Sequence, residues 1–198
     1  MRKVLLTIVA CAAAMATASA QQQSAAQLAN NAPETFTAFA VNMNTRAATG
    51  AATSQVDIHV QRYSTDKERD DLMKAFKSGG QDALLDELQK LPVVGYIRTP
   101  ASLRYDLHFA RQVPNPEGGR KIILLTDRHM AMWEVVNSTR STNYPFTLVQ
   151  LQIGPDGKGV GKASIATKIT QGGMDNVIEL ENFDSQPVML NNVQKSSK

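Results

Sequence analysis

Cysteine is nearly absent from this sequence, since Cys11 is the one cysteine in 198 residues. Cys11 lies in an apolar N-terminal stretch, so we expect the rest of the chain to have no disulfide, cysteine-based zinc site or thiol nucleophile. An excess of one charge is also lacking, with 21 basic against 18 acidic residues. Two of the basic residues are Arg2 and Lys3, which leaves a formal charge of +1 after residue 20. That balance is too small for a nucleic-acid binder that works by counterion release.

No apolar run is long enough to cross a bilayer, and the N-terminal one is typical of a cleaved signal peptide covering residues 1–20. Basic residues precede it, and Ala18-Ser19-Ala20 supplies the small residues of a cleavage site. We expect cleavage after Ala20 and a periplasmic or secreted protein. Alternatively, Ile8-Val9-Ala10-Cys11 has the form of a lipobox, in which lipidated Cys11 would anchor a lipoprotein to a membrane. The apolar stretch continues past Cys11, which favours cleavage after Ala20.

The sequence after residue 20 predicts a polar leader followed by a single domain. Residues 21–34 are polar and carry few bulky apolar side chains, which indicates a flexible leader. Residues 35–198 carry repeated apolar alternation, as at Val56, Ile58 and Val60, and a period of two predicts half-buried strands. The same pattern occurs at Phe39, Val41 and Met43, which we expect to begin the sheet.

One helical region interrupts the strands at about residues 65–91. Thr65-Asp66-Lys67-Glu68 has the form of a capping box, which begins a helix. Ser78-Gly79-Gly80 predicts a break, and a second helix follows until Pro92. Two amphipathic helices joined by glycines predict a helical hairpin that lays its apolar side on a sheet.

Strand patterns fill the rest of the chain. Leu103–Phe109 predicts one two-faced strand and Met132–Val136 another, while Lys121–Thr126 is apolar on both faces and should be central, with the helical hairpin as one candidate to cover its second face. The sequence leaves open whether the hairpin at residues 65–91 caps the sheet or lies beside it. Pro155-Asp156-Gly157 predicts a hairpin turn. Val177–Phe183 and Val188–Val193 predict a second hairpin. The fold class is therefore α+β and β-rich, with an antiparallel sheet of about ten strands curled into a barrel or sandwich.

All three histidines occur in an Asp-x-His pattern: Asp57 and His59, Asp106 and His108, and Asp127 and His129. Residues i and i+2 share a strand face, so each pair can place a carboxylate beside an imidazole. Converging pairs would offer a metal site or an oriented general base. The same residues are also what the solvated face of a strand contains, and we favour that interpretation.

Two further motifs fit structural roles better than catalytic ones. Ser64 and Lys67 have the spacing of serine acyl-enzymes, but the partner motifs are missing and helix capping explains both residues. Gly154–Lys162 departs from a phosphate loop, because Asp156 replaces its first glycine and Ala163 its magnesium-binding hydroxyl residue. We therefore predict no cofactor and no catalytic residue.

Several segments carry a resemblance to a family: Gln81–Pro100, Thr126-Asp127-Arg128, Tyr144-Pro145-Phe146-Thr147, Ala166-Thr167-Lys168-Ile169 and Ile178-Glu179-Leu180-Glu181-Asn182. On these residues the chain resembles an uncharacterised family of exported bacterial proteins, over about residues 55–193. The resemblance implies a bacterial, non-cytoplasmic protein. It implies no activity, so no functional residue follows from it.

These observations predict a non-enzymatic binding or interaction module of the cell envelope. Its site would be a cavity in the sheet or the surface between the helical hairpin and the strands. The expected partner is a small molecule or an envelope protein, not a nucleic acid, and a membrane only if Cys11 is lipidated. The alternative is a metal-dependent or hydrolytic enzyme that uses the Asp-x-His pairs.

Overall fold

The computed structural model describes residues 31–41, 53–100, 104–116, 118–128, 144–171, 178–182 and 187–196. They form ten strands and one helical element. In chain order these are β1 (Glu34–Val41), β2 (Thr53–Val60), α1 (Asp66–Lys90), β3 (Gly95–Arg98), β4 (Tyr105–Leu107), β5 (Phe109–Pro114), β6 (Arg120–Thr126), β7 (Phe146–Ile153), β8 (Lys158–Gln171), β9 (Ile178–Asn182) and β10 (Val188–Lys195).

All strand pairs are antiparallel and belong to one sheet. Its order is β4-β3-β2-β1-β10-β8-β7-β6-β5, and β9 pairs with β8. The first and last strands along the chain, β1 and β10, are therefore neighbours in the interior of the sheet. The β-rich antiparallel architecture predicted from the sequence is confirmed.

The sheet is not closed into a barrel, contrary to one of the two predicted forms. Its end strands β4 and β5 are consecutive along the chain and separated by His108, but no ladder joins them in the described residues. The backbone amide of His108 donates to Leu125 O at 3.1 Å. The predicted single strand Leu103–Phe109 is thus interrupted at His108, because β4 pairs with β3 and β5 with β6.

One face of the sheet encloses the larger apolar core. Its fully buried side chains come from strands far apart in the strand order, among them Phe36, Ile58, Leu107 and Leu151. In β1 the buried residues are Phe36 and Ala38, whereas Phe39 is 50% exposed. The prediction that Phe39 and Val41 mark the core face of β1 was wrong, since these two residues alternate with the buried ones.

Helix α1 covers the other face of the sheet. Leu72, Phe76, Leu84 and Leu88 pack in a second core with residues of β6, β7 and β8. Strand β6 contributes Ile122 and Leu124 to one core, and Ile123 and Leu125 to the other. Of the two placements that the sequence left open, the structure shows the helical region capping the sheet, over a strand that is apolar on both faces. Gly80, at φ 66° and ψ −149°, breaks the helix where the glycines predicted a break.

Strands β9 and β10 do not form the predicted hairpin with each other. Both pair with the 14-residue strand β8, β10 along residues 158–163 and β9 along residues 167–171. Strand β8 is long enough to pair first with β10 and, further along, with β9. The predicted β7–β8 hairpin is confirmed, whereas Met43 and Met132–Val136 lie outside the described residues. In the part of the chain that is described, no helix has the length and apolarity needed to span a bilayer.

Candidate functional site

An open cleft of about 430 Å³ lies between the start of α1 and strand β5. It is lined by Asn31, by residues 63–66 and by residues 111–114. The volume lies within the range of small-molecule sites. A space of similar size over α1 is lined by residues of that helix alone and is therefore a shallow surface. The cleft is the more concave candidate because three separate segments form its walls.

The helix-side wall is held in place by capping interactions. The amide of Glu68 donates to Thr65 Oγ1 at 3.2 Å, and the amide of Thr65 donates to Glu68 Oε2 at 2.7 Å. This is the capping box predicted from the sequence. Arg62 donates to both carboxylate oxygens of Glu68, at 3.0 and 2.7 Å. The guanidinium of Arg62 lowers the pKa of Glu68 to about 2, so the carboxylate stays charged and the cap stays formed at neutral pH.

The strand-side wall is tied to the helix start through Ser64. The amide of Ser64 donates to Ala110 O at 2.6 Å, and the amide of Ala110 donates to Ser64 Oγ at 3.1 Å. Lys67 pairs with Asp71 at 2.5 Å. The hydroxyl of Ser64 therefore serves as an acceptor for a strand amide, and Lys67 is engaged one helical turn further on. Both residues therefore have structural contacts, but neither is part of the cap itself, which is formed by Thr65 and Glu68.

A buried charge cluster, consisting of the buried Glu34, Tyr63 and Arg120 together with the exposed Lys195, adjoins the cleft. Glu34 Oε1 accepts hydrogen bonds from Arg120 Nη2 at 2.8 Å and Lys195 Nζ at 2.6 Å. Glu34 Oε2 accepts from the Tyr63 hydroxyl at 2.5 Å. Arg120 also donates to Gln112 Oε1 at 2.5 Å. Because Tyr63 and Gln112 line the cleft, the buried charge cluster fixes two of its wall residues.

The hydrogen bonds of the buried charge cluster determine its protonation. Burial by itself would raise the pKa of Glu34, but the bonds from Arg120, Lys195 and Tyr63 together hold that pKa below 4.5. Burial, followed by the hydrogen bond to Glu34, raises the pKa of Tyr63 well above 10. Glu34 is therefore a carboxylate and Tyr63 a neutral donor at neutral pH. All four side chains have partners, so the cluster serves to hold the structure.

The Asp57 and His59 pair lies on β2, on the face that alternates with buried Val56 and Ile58. Asp57 accepts from Arg98 Nε at 3.3 Å. His59 Nδ1 lies 3.0 Å from Thr35 Oγ1, and its ring is 5.1 Å from that of Tyr96. The two side chains share a strand face, as the spacing predicts, but each is engaged by other partners.

The second predicted pair is separated by the break at His108. Arg104 Nε lies 2.9 Å from Asp106 Oδ1. His108 Nδ1 lies 3.0 Å from Leu91 O, and its Nε2 is 3.8 Å from Asp127 Oδ1. Asp127 also accepts from Gln89 Nε2 at 3.4 Å. His108 therefore contacts the carboxylate of a different predicted pair.

The described residues contain no group of three His, Cys, Asp or Glu side chains that could hold a metal ion. His129 lies outside them, as do Ala20 and Cys11. A metal site built from all three Asp-x-His pairs therefore remains a prediction. Within the described chain, Asp57 and His59 lie on β2, Asp106 lies on β4 with β3 between them, and His108 and Asp127 lie beside the end of α1.

Sequence reasoning missed Arg111, Glu34 and Arg120. Arg111 lines the cleft, and the other two form the buried ion pair behind it. The sequence pattern places Glu34 in the polar leader, yet it begins β1 and is buried. Arg120 follows two glycines, which indicates a loop end and not a buried charge. The one available signal was a charge at the end of an apolar strand, which does not identify its partner 86 positions away.

Three comparisons with known proteins give no relative. No family model, curated protein or solved structure matches this chain.

Proposed function

We propose that this chain is an exported bacterial protein of the cell envelope that binds a partner without catalysing a reaction. The signal-peptide pattern of residues 1–20 and the resemblance described above support a periplasmic or secreted location, with a lipoprotein anchored through Cys11 as the alternative. We further propose that the curved sheet is arranged as a sandwich around the larger core. The binding site is the cleft between the start of α1 and β5.

The cleft is the observation that carries this proposal. Three of its side chains are committed to structural contacts: Ser64 to a strand amide, Thr65 to the helix cap, and Tyr63 to Glu34. A nucleophile needs an adjacent general base that is not otherwise engaged, and Ser64 has no such base among its described contacts. Walls held rigid by buried hydrogen bonds favour binding, because little conformational entropy is lost when a ligand enters.

Native and denatured mass spectrometry of protein isolated from its own cell envelope tests this proposal. We expect a denatured mass that begins at Gln21, and a native mass larger by that of a small molecule. Acyl chains on Cys11 would show instead that the protein is a membrane-anchored lipoprotein. A bare native monomer would contradict a tightly held small ligand in the cleft.

A cleft-filling variant locates the bound molecule. Val113→Trp places a large ring in the cleft and should abolish the extra native mass. Val160→Trp is the matched control, because Val160 is a half-exposed valine on β8 outside the cleft lining. Circular dichroism spectra of both variants should match the parent. If both variants retained the extra mass, the molecule would bind elsewhere.

A further inference from the structure

Arg111 is a largely covered arginine with spare hydrogen-bond donors. Its side chain is 24% exposed, and Nη2 donates to Asp66 Oδ1 at 2.8 Å. Asp66 is its one partner among the described residues. A guanidinium carries five N–H donors in a fixed planar fork. Most of the donors of Arg111 therefore remain available in the cleft that the residue lines.

Two other largely covered arginines have more of their donors engaged in hydrogen bonds. Arg120 donates through both terminal nitrogens, to Glu34 and Gln112. Arg62 makes two hydrogen bonds to Glu68 and one to Tyr63 O. Among the described residues, no nitrogen of Arg111 is buried without a partner, so its remaining donors are open to the cleft. Arg111 is the one basic residue in the described lining, and these donors can meet an added acceptor.

The surroundings of Arg111 select the class of acceptor. The guanidinium fork matches the two oxygens of a carboxylate in a bidentate contact. Asp66 is the acidic residue in the lining, and its side chain is 76% exposed, so solvent and salt screen its charge. Val113 and Pro114 add apolar surface beside the fork. The cleft therefore offers hydrogen-bond donors for one carboxylate and apolar surface for a small apolar group of the same ligand.

We propose that the cleft binds a small organic carboxylate, which the free edge of the Arg111 guanidinium anchors in a bidentate contact. This assignment rests on the proposed binding function of the cleft and adds the ligand class to it. Asp66 holds Nη2 from the other side and positions the fork.

The test compares 3-phenylpropionate with its amide, 3-phenylpropionamide, by calorimetric titration of the chain as isolated from the envelope, freed of bound ligand by dialysis. The two probes have nearly the same shape, and the acid alone offers a charged pair of oxygens. Hydrogen bonds to charged groups exceed neutral ones by roughly tenfold or more in affinity. We expect the acid to bind about tenfold more tightly than the amide.

Arg111 variants show whether the fork is responsible. Arg111→Gln should weaken acid binding about tenfold and leave amide binding unchanged, and Arg111→Lys, which keeps the charge without the fork, should fall between. Arg98→Gln is the matched control, since Arg98 also lies on a strand and pairs with one aspartate, Asp57. Asp66→Asn keeps an acceptor oxygen for Nη2 but removes the negative charge that opposes a bound carboxylate, so it should tighten acid binding. Melting temperatures establish that each variant is folded.

The outcomes separate this inference from the proposed function. Equal affinity for acid and amide, lost in Val113→Trp, would overturn the carboxylate assignment and leave the cleft as a binding site. Acid binding that survives Arg111→Gln would also overturn it. Binding of neither probe, together with a bare native mass, would overturn both the assignment and the proposed function.

Discussion

At the scale of residues, the ion pair of Glu34 and Arg120 is almost fully buried. Their side chains are 5% and 6% exposed. Removing two charges from water costs several kcal/mol each, and their attraction compensates only when the remaining polar atoms are also bonded. Here Tyr63, Gln112 and Lys195 supply those bonds. The arrangement is stable as a unit and sensitive to the loss of any member.

Arg120→Met should lower the free energy of unfolding by about 3–5 kcal/mol, because it leaves Glu34 buried without its main partner. Urea unfolding followed by circular dichroism measures this change. The matched control is Arg98→Met, in which an exposed ion pair is lost, with an expected effect within about 0.5 kcal/mol. A loss below about 1 kcal/mol for Arg120→Met would show that solvent reaches Glu34.

At the scale of elements, β6 and α1 depend on each other. Strand β6 has apolar side chains on both faces, and the larger core covers only one of them. Helix α1 covers the other with residues from both sides of the break at Gly80. The second half of α1 also leads to Leu91, whose carbonyl lies 3.0 Å from His108 Nδ1. The helix therefore stabilises the strand that runs beside the cleft strand β5.

Leu88→Ala should lower the free energy of unfolding by about 2–5 kcal/mol, because Leu88 is fully buried under α1 and its truncation leaves a cavity. Chemical unfolding with a two-state fit measures it. Asp86→Ala, at an exposed position of the same helical segment, should change stability by less than about 0.5 kcal/mol. Similar effects of the two substitutions would mean that α1 contributes little to the second core.

At the scale of the whole molecule, the first and last described strands lie inside the sheet. Strand β1 lies between β2 and β10, and β10 lies between β1 and β8. Glu34 begins β1, Arg120 begins β6 and Lys195 ends β10. One carboxylate thus connects three strands that are distant in sequence. Its ionisation state affects the stability of the complete fold.

Stability should fall as the solution becomes acidic. The pKa of Glu34 is lowered from 4.5, and that of Glu68 from 4.5 to about 2. The folded state then binds these protons less tightly than the unfolded state, so the stabilisation is complete above about pH 4.5 and is lost as pH falls through the folded pKa values. Urea unfolding between pH 7 and pH 2.5 measures this dependence.

Glu34→Gln isolates the contribution of one carboxylate. The variant should be less stable than the parent at pH 7, and the difference between the two should shrink as pH falls below 4.5. Glu68→Gln is the corresponding variant for the helix cap. A difference that stays constant between pH 7 and pH 2.5 would show that Glu34 has the same pKa in both states.

The features predicted correctly depend on residues close together in sequence. The capping box joins Thr65 and Glu68, the β7–β8 turn spans a few residues, and the two apolar faces of β6 follow from alternation within one strand. For these features, side-chain type and spacing determine the structure. The shared face of Asp57 and His59 is predictable for the same reason, whereas their engagement by Arg98 and Thr35 is not.

The amino-acid sequence by itself determined that this protein is β-rich, where its helix begins and breaks, and that β7 and β8 form a tight hairpin. Only the tertiary structure decided that the sheet stays open at His108, that β9 and β10 share β8, and that Arg111 meets Asp66 while Arg120 meets Glu34. The physical reason is that these partners are separated by 45 and 86 positions. Such contacts form only when the packing of the whole sheet brings distant segments together, and no local pattern in the sequence encodes the choice of partner.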